Sequence, residues 1–112
     1  MKSEVKLFTG ANLVEICDKV NQYADTNNIS IESVSIDTHG CRACMMVAFD
    51  TNHRCDKGVE CVTAFDEATF NGNIEMAMEQ ISSRSSVYNP IVDICVTCSE
   101  IRYTGVILYQ GI

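Results

Sequence analysis

Two C-x-x-C pairs stand out, Cys41/Cys44 in "THGCRACMMVAF" and Cys95/Cys98 in "DICVTCSE". That spacing can chelate zinc or cycle a disulfide. Both segments, however, read as strands. In the strand over residues 41–49, Cys41, Ala43, Met45, Val47 and Phe49 share one face, and Arg42, Cys44, Met46 and Ala48 the other. Residues three apart in a strand point to opposite faces, so neither pair can close on one ion. Neither pair carries the glycine that usually follows a zinc-knuckle pair, and a thioredoxin-type pair belongs at a strand-to-helix turn. The thiols are therefore read as small apolar core residues, with no metal, and a zinc-binding adaptor is the weakest reading of function.

No catalytic constellation emerges. His39 falls in a hairpin turn and His53 in a polar link, and neither has an obvious nucleophile partner, so each is read as a solvated loop residue. Walker, G-x-G-x-x-G, G-x-S-x-G and H-E-x-x-H patterns are absent, so the expectation is a non-enzyme with no cofactor. The scarce positive charge is more informative. Arg42 and Arg102 each adjoin a hairpin turn, and paired guanidiniums suit bidentate contact with phosphate or carboxylate. The loop "RSSVYNP" adds Arg84, Tyr88 and Asn89: a charge, a stacking ring and an amide. These five residues are the candidate ligand site, with arginine on phosphate and tyrosine on a base. Surface ion pairs and an ordinary helix-to-strand loop would look the same in sequence.

The elements that must position them repeat. Displaced by the sixty positions separating Arg42 from Arg102, residues 31–50 overlie residues 91–110 without a gap. Ile31 meets Ile91, Val34 meets Ile94, Val47 meets Ile107 and Phe49 meets Tyr109. One residue of slip brings "NLVEICDKVN" onto "NIEMAMEQIS". Each half reads β-α-β-β. Leu13, Ile16, Cys17, Val20 and Tyr23/Ala24 form one helical stripe, with Asn12 and Glu15 as a capping pattern. Ile74, Ala77, Met78 and Ile81 form the other, with Asp66 or Thr69 as the cap. The expectation is a single α+β domain of two duplicated repeats, about 4–50 and 59–110. Its six strands would form one mostly antiparallel sheet, with both helices on one face. Because "CMMVAF" and "GVILY" are apolar at consecutive positions, Met46, Ala48, Val106 and Leu108 need cover on the second face. A second copy of the chain would supply it, making a homo-oligomer; a bent or barrel-like sheet within one chain would serve equally well.

The chain has 112 residues and a formal charge of −7, from 15 acids against 8 bases. Such a field argues against nucleic-acid and anionic-membrane partners, and any anionic ligand must be held by local arginines. No apolar run is long enough for a transmembrane helix, and "MKSEVKLF" lacks the apolar centre of a signal peptide. Seven cysteines with no export signal suit a reducing cytoplasm.

The pattern "VKLFTG…NLVEICDKVNQY…ISIESVSI…MMVAF" resembles the small acidic sporulation proteins of spore-forming bacteria, which are about one repeat long. That resemblance implies a structural or protein-interaction module. The whole chain, β-α-β-β twice over, also resembles the Thoeris anti-defence sponges of bacteriophages. This second resemblance implies a symmetric oligomer with pockets at subunit interfaces. Such pockets sequester the cyclic ADP-ribose-type signal of TIR-domain defence proteins without degrading it, and some members hold cyclic oligonucleotides. No pocket residue is carried over from either family. A sponge for an anionic nucleotide in the host cytoplasm is the first functional expectation, and the interaction module the second.

Overall fold

The structure, a computed structural model, describes residues 3–111. Eight elements follow in order: β1 (Ser3–Gly10), α1 (Leu13–Asn27), β2 (Ser30–His39), β3 (Arg42–Asp50), β4 (Lys57–Ala64), α2 (Glu67–Arg84), β5 (Ile91–Cys98) and β6 (Tyr103–Gln110). All strand pairing is antiparallel, and each half has the same order, its third strand between the other two: β1-β3-β2 and β4-β6-β5. The single six-stranded sheet expected from sequence is thus two three-stranded sheets. Both β2 and β5 carry an irregularity near their starts, between Ile31 and Ser33 and between Ile91 and Asp93. The two strands meet through side chains: the Thr38 and Thr97 hydroxyls lie 3.4 Å apart, and the Cys95 thiol donates to the Val34 carbonyl at 3.5 Å. Bulging of this kind bends a strand and disrupts its ladder, which suits two sheets that abut without merging.

Helix α1 begins where the Asn12 side chain accepts the Glu15 amide at 2.9 Å. It ends at Asn28, whose left-handed backbone (φ 52°) suits an amide residue. Its stripe of Leu13, Ile16, Cys17, Val20 and Ala24 is buried as expected. This stripe packs with Phe8, Met45, Val47 and Phe49 of the first sheet and with Val59, Val106 and Leu108 of the second. Asp66 caps α2, accepting the Thr69 amide at 2.8 Å and its hydroxyl at 2.9 Å. Ala77 and Ile81 of that helix form a separate core with Val62 and Ile107. The helices therefore cover different surfaces, not one shared face.

Consecutive burial along β6 now has its cause. Val106 and Leu108 face α1 and the first sheet, while Ile107 faces α2, so one chain covers both sides. No partner is needed at Val106 or Leu108, which are 0% and 1% exposed. The first sheet differs: Met46 is 43% exposed, and Val5 and Leu7 beside it are 64% and 54% exposed. Along β5 the pattern is the reverse of a simple apolar-in reading. Cys95 and Thr97 turn inward, whereas Val92, Ile94 and Val96 stay at least 40% exposed. None of the described helices is long and apolar enough to cross a membrane.

Candidate functional site: an arginine-lined cleft at the hairpin turns

Gly40 and Cys41 turn the chain from β2 into β3, with His39 opposite Arg42. The turn requires a residue at φ 60°, which Gly40 supplies without strain. Ser99 closes the corresponding turn between β5 and β6 by donating its amide to the Arg102 carbonyl at 2.9 Å. Arg42 thus stands on the first rung of its strand ladder, and Arg102 in the turn just before β6, held by the Ser99 amide.

The two turns come together beside the start of α1. Arg42 and Arg102 line one cleft of about 550 Å³, with Ala11 to Val14 from the helix start, Thr38, Thr63, Ser99 and Thr104 as hydroxyl bearers, and Gly40, Cys41, Ala43 and Ile101. That volume suits a small organic ligand. No Asp or Glu lines it, in a chain with 15 acids. Among the described residues, neither guanidinium makes an ion pair; the cations that do are Lys19, His53, Lys57 and Arg84. Arg102 is felt locally: burial pushes the Cys61 thiol up to about 11 while the guanidinium pulls it down. At the mouth of α1, Asn12 takes the Glu15 amide, and the Leu13 and Val14 amides have no intrahelical acceptor. Helix dipole, free amides and two unpaired guanidiniums all favour an anion there.

Arg84, Tyr88 and Asn89 lie elsewhere. Their loop is tied to the far end of β6, where Ser86 donates to the Gly111 carbonyl at 2.8 Å and Gln110 donates to the Asn89 carbonyl at 3.1 Å. An eight-residue strand separates them from Arg102, a distance of about 25 Å. Arg84 is occupied by Glu60 at 3.3 Å and lies 6.0 Å from the Tyr109 ring centre. Tyr88 is 96% exposed. The adjoining pocket, beside Arg84 and Tyr109, holds about 10 Å³, room for one water and no base. The five candidates therefore divide, with Arg42 and Arg102 in one cleft and the loop trio apart from it.

The amide and hydroxyl lining was missed in the sequence. The capping signal at Asn12 marked a helix start, but not that this start faces the arginines. The hydroxyls of Thr38, Thr63 and Thr104 carry no signal beyond strand alternation.

Thiol placement also becomes concrete. Cys17 is buried, and Cys55, Cys61 and Cys95 pack against the core, as apolar filler would. Cys41 and Cys98 are exposed, and Cys41 borders the cleft. Burial raises the Cys17 thiol far above its ordinary range, so it stays protonated. His53 is largely exposed, as a loop residue would be, and its Nδ1 also lies 2.6 Å from the Asp50 carboxylate.

Compared with family models, curated proteins and solved structures, the chain matches none of them.

Proposed function

We propose that this protein binds a small anionic nucleotide in the cleft between its two hairpin turns and holds it without chemistry. Such a role is that of a phage anti-defence sponge for a cyclic ADP-ribose-type signal. The observation that carries the reading is two guanidiniums that make no ion pair among the described residues, on one cleft whose lining has no acid, in a chain of net charge −7. Holding such groups unneutralised against that overall field suits a ligand that brings the missing negative charge. Arg42 and Arg102 would take phosphate oxygens, helped by the Leu13 and Val14 amides and the surrounding hydroxyls. Tyr88 is too far away to stack on a base in this cleft, so the apolar contact falls to Val14 and Ile101, both exposed at its rim. The lining has no carboxylate or imidazole to move a proton, which favours sequestration over turnover. The matching order of the two halves supports descent by duplication, which would place the two arginines at equivalent positions.

Calorimetric titration with cyclic ADP-ribose, with recovery of the ligand after denaturation, tests the proposal. Each of Arg42→Ala and Arg102→Ala should weaken binding about tenfold or more, since a hydrogen bond to a charged group contributes roughly 1.5–3 kcal/mol. The double variant should not bind measurably. Unchanged affinity in both single variants would remove the cleft from consideration, and recovery of a cleaved ligand would make the protein an enzyme.

A protein-interaction module is the second reading. It is favoured by the exposed row of Val5, Leu7 and Met46 on the outer face of the first sheet, none of which lines the cleft.

A further inference from the structure

Four strand edges terminate the two sheets, and three of them are occupied. Those of β2 and β5 face each other through Thr38, Thr97 and Cys95. The edge of β4 is covered by helix side chains: Asn21 donates to the Val59 carbonyl at 2.9 Å and accepts its amide at 2.8 Å, and Asn73 donates to the Thr63 carbonyl at 3.1 Å. The fourth belongs to β1. There Lys19 reaches the Thr9 carbonyl at 3.3 Å, and among the described residues nothing bonds to the outer backbone edge from Ser3 to Phe8.

Natural sheets blunt such an edge with proline, a bulge or an outward lysine. Among its described residues β1 has no proline, bulge or outward lysine, and the inward charges it does carry, Glu4 and Lys6, are engaged by Tyr23, whose hydroxyl donates to Glu4. The strand pairs residue for residue with β3, from Ser3 opposite Asp50 to Gly10 opposite Ala43, without a shift. Its one described lysine, Lys6, is drawn over the Tyr23 ring at 4.9 Å and the Phe8 ring at 5.7 Å. Alternation then places Glu4 and Lys6 on the inner face and Val5 and Leu7 on the outer one.

We propose that β1 is the docking edge for a second copy of this chain. It would pair antiparallel with its own counterpart across a two-fold axis at Val5, so that two three-stranded sheets become one continuous sheet. Charge complementarity selects the partner and the register. With the axis at Val5, Glu4 lies opposite the partner's Lys6 and Lys6 opposite the partner's Glu4, two matched cross-strand pairs. An axis at Lys6 sets that lysine against itself, and one at Leu7 leaves both charges without an opposite. The Val5 axis also brings the exposed Val5, Leu7 and Met46 of both copies into one apolar strip across the joint. This pairing does not depend on what the cleft holds.

Sedimentation equilibrium tests it. The wild-type protein should weigh twice its 12.4 kDa chain mass. Glu4→Lys and Lys6→Glu, made singly, should each raise the dimer dissociation constant at least tenfold, and the two together should restore it to within a few-fold. Val5→Lys, at an exposed position, should give a folded monomer with unchanged far-ultraviolet dichroism. The Arg42→Ala/Arg102→Ala variant should remain dimeric even if it has lost nucleotide. A monomeric wild type overturns the proposal, as does a double swap that fails to restore the dimer. A dimer that responds to Met46→Lys but not to the Glu4 and Lys6 swaps also overturns it, because the interface is then the sheet face.

Discussion

The two helix starts occupy matching places in the two halves, each after a leading strand and each beside a hairpin arginine, yet they differ in charge. At α1 the cap is the neutral Asn12, and the adjoining cleft of about 550 Å³ holds both arginines and no acid. At α2 the cap is Asp66, followed by Glu67, and Asp66 shares a cleft of about 280 Å³ with Arg102. One site is left positive, and the other carries its own counter-charge. Either residue satisfies a helix start equally well, so the need for a cap does not explain the difference. A positive α1 mouth is what an anion requires; the α2 mouth is arranged as a structural helix end.

The largest effect should come from making the first site resemble the second. Asn12→Asp keeps the capping acceptor and adds negative charge where the helix dipole welcomes it, so α1 should stay intact. It also puts a carboxylate into the cleft. At an effective dielectric of about 20, a charge about 8 Å from a phosphate costs roughly 2 kcal/mol, or about thirtyfold in affinity. Calorimetry with cyclic ADP-ribose should show that fall while the melting temperature holds or rises slightly. If affinity is unaffected, the ligand does not sit at the helix mouth.

The reverse exchange should do less. Asp66→Asn preserves the α2 cap and removes the carboxylate on the far side of Arg102. That carboxylate is exposed and makes no ion pair with the guanidinium, so screening limits its influence. Affinity in the main cleft should rise about threefold or less, and the gain should disappear in high salt. A gain that survives salt would mean that Asp66 acts by position and not by charge.

How much of this contrast could be read in advance depends on range. Both helix stripes, the Asn12 cap and the place of Arg42 and Arg102 beside their turns follow from short-range periodicity and the sixty-residue displacement. So does the double cover of β6, because "GVILY" has no polar face to expose. The identity of the cover does not follow, since intramolecular burial by α1, α2 and the first sheet has the same sequence signature as burial by a partner. "CMMVAF" shows this, because its similar apolar run leaves Met46 largely open. The split into two sheets rests on where β2 and β5 bend and meet, which residue types near Ile31 and Ile91 do not encode. Tyr88 drew notice through its neighbours in sequence, whereas the cleft draws on Ala11 to Val14, Thr63 and Ser99, which only the fold brings together.

Gly105 marks another difference between the halves. It stands where the first half has Met45, and the Phe70 ring of α2 approaches so closely that an added Cβ would lie 2.9 Å from it. Gly105→Ala must displace that ring and should cost about 1–3 kcal/mol of stability, read by denaturant unfolding. Nucleotide affinity should be retained, because Phe70 is not part of the main cleft. The contrast between the helix starts would then be separable from the packing of the second half.

The smallest effect is a difference in how the two helix starts respond to acid. Hydrogen bonds from the Thr69 amide and then its hydroxyl hold the Asp66 carboxyl below the ordinary carboxylate range. A group whose folded-state pKa is depressed contributes its stabilisation above the unfolded value, and that contribution fades as pH falls through the folded value. The Asn12 amide does not titrate there. Acid should therefore loosen the first turn of α2 before that of α1. Asp50 and Asp56 are also held low, so global unfolding follows the same direction and would blur the distinction. Site-resolved amide protection, corrected for intrinsic exchange, separates the two. Between neutral pH and the acid edge of stability, protection at Thr69 and Phe70 should decline while that at Glu15 and Ile16 persists. Parallel loss at both starts would show that Asp66 caps α2 no more firmly when charged than when neutral.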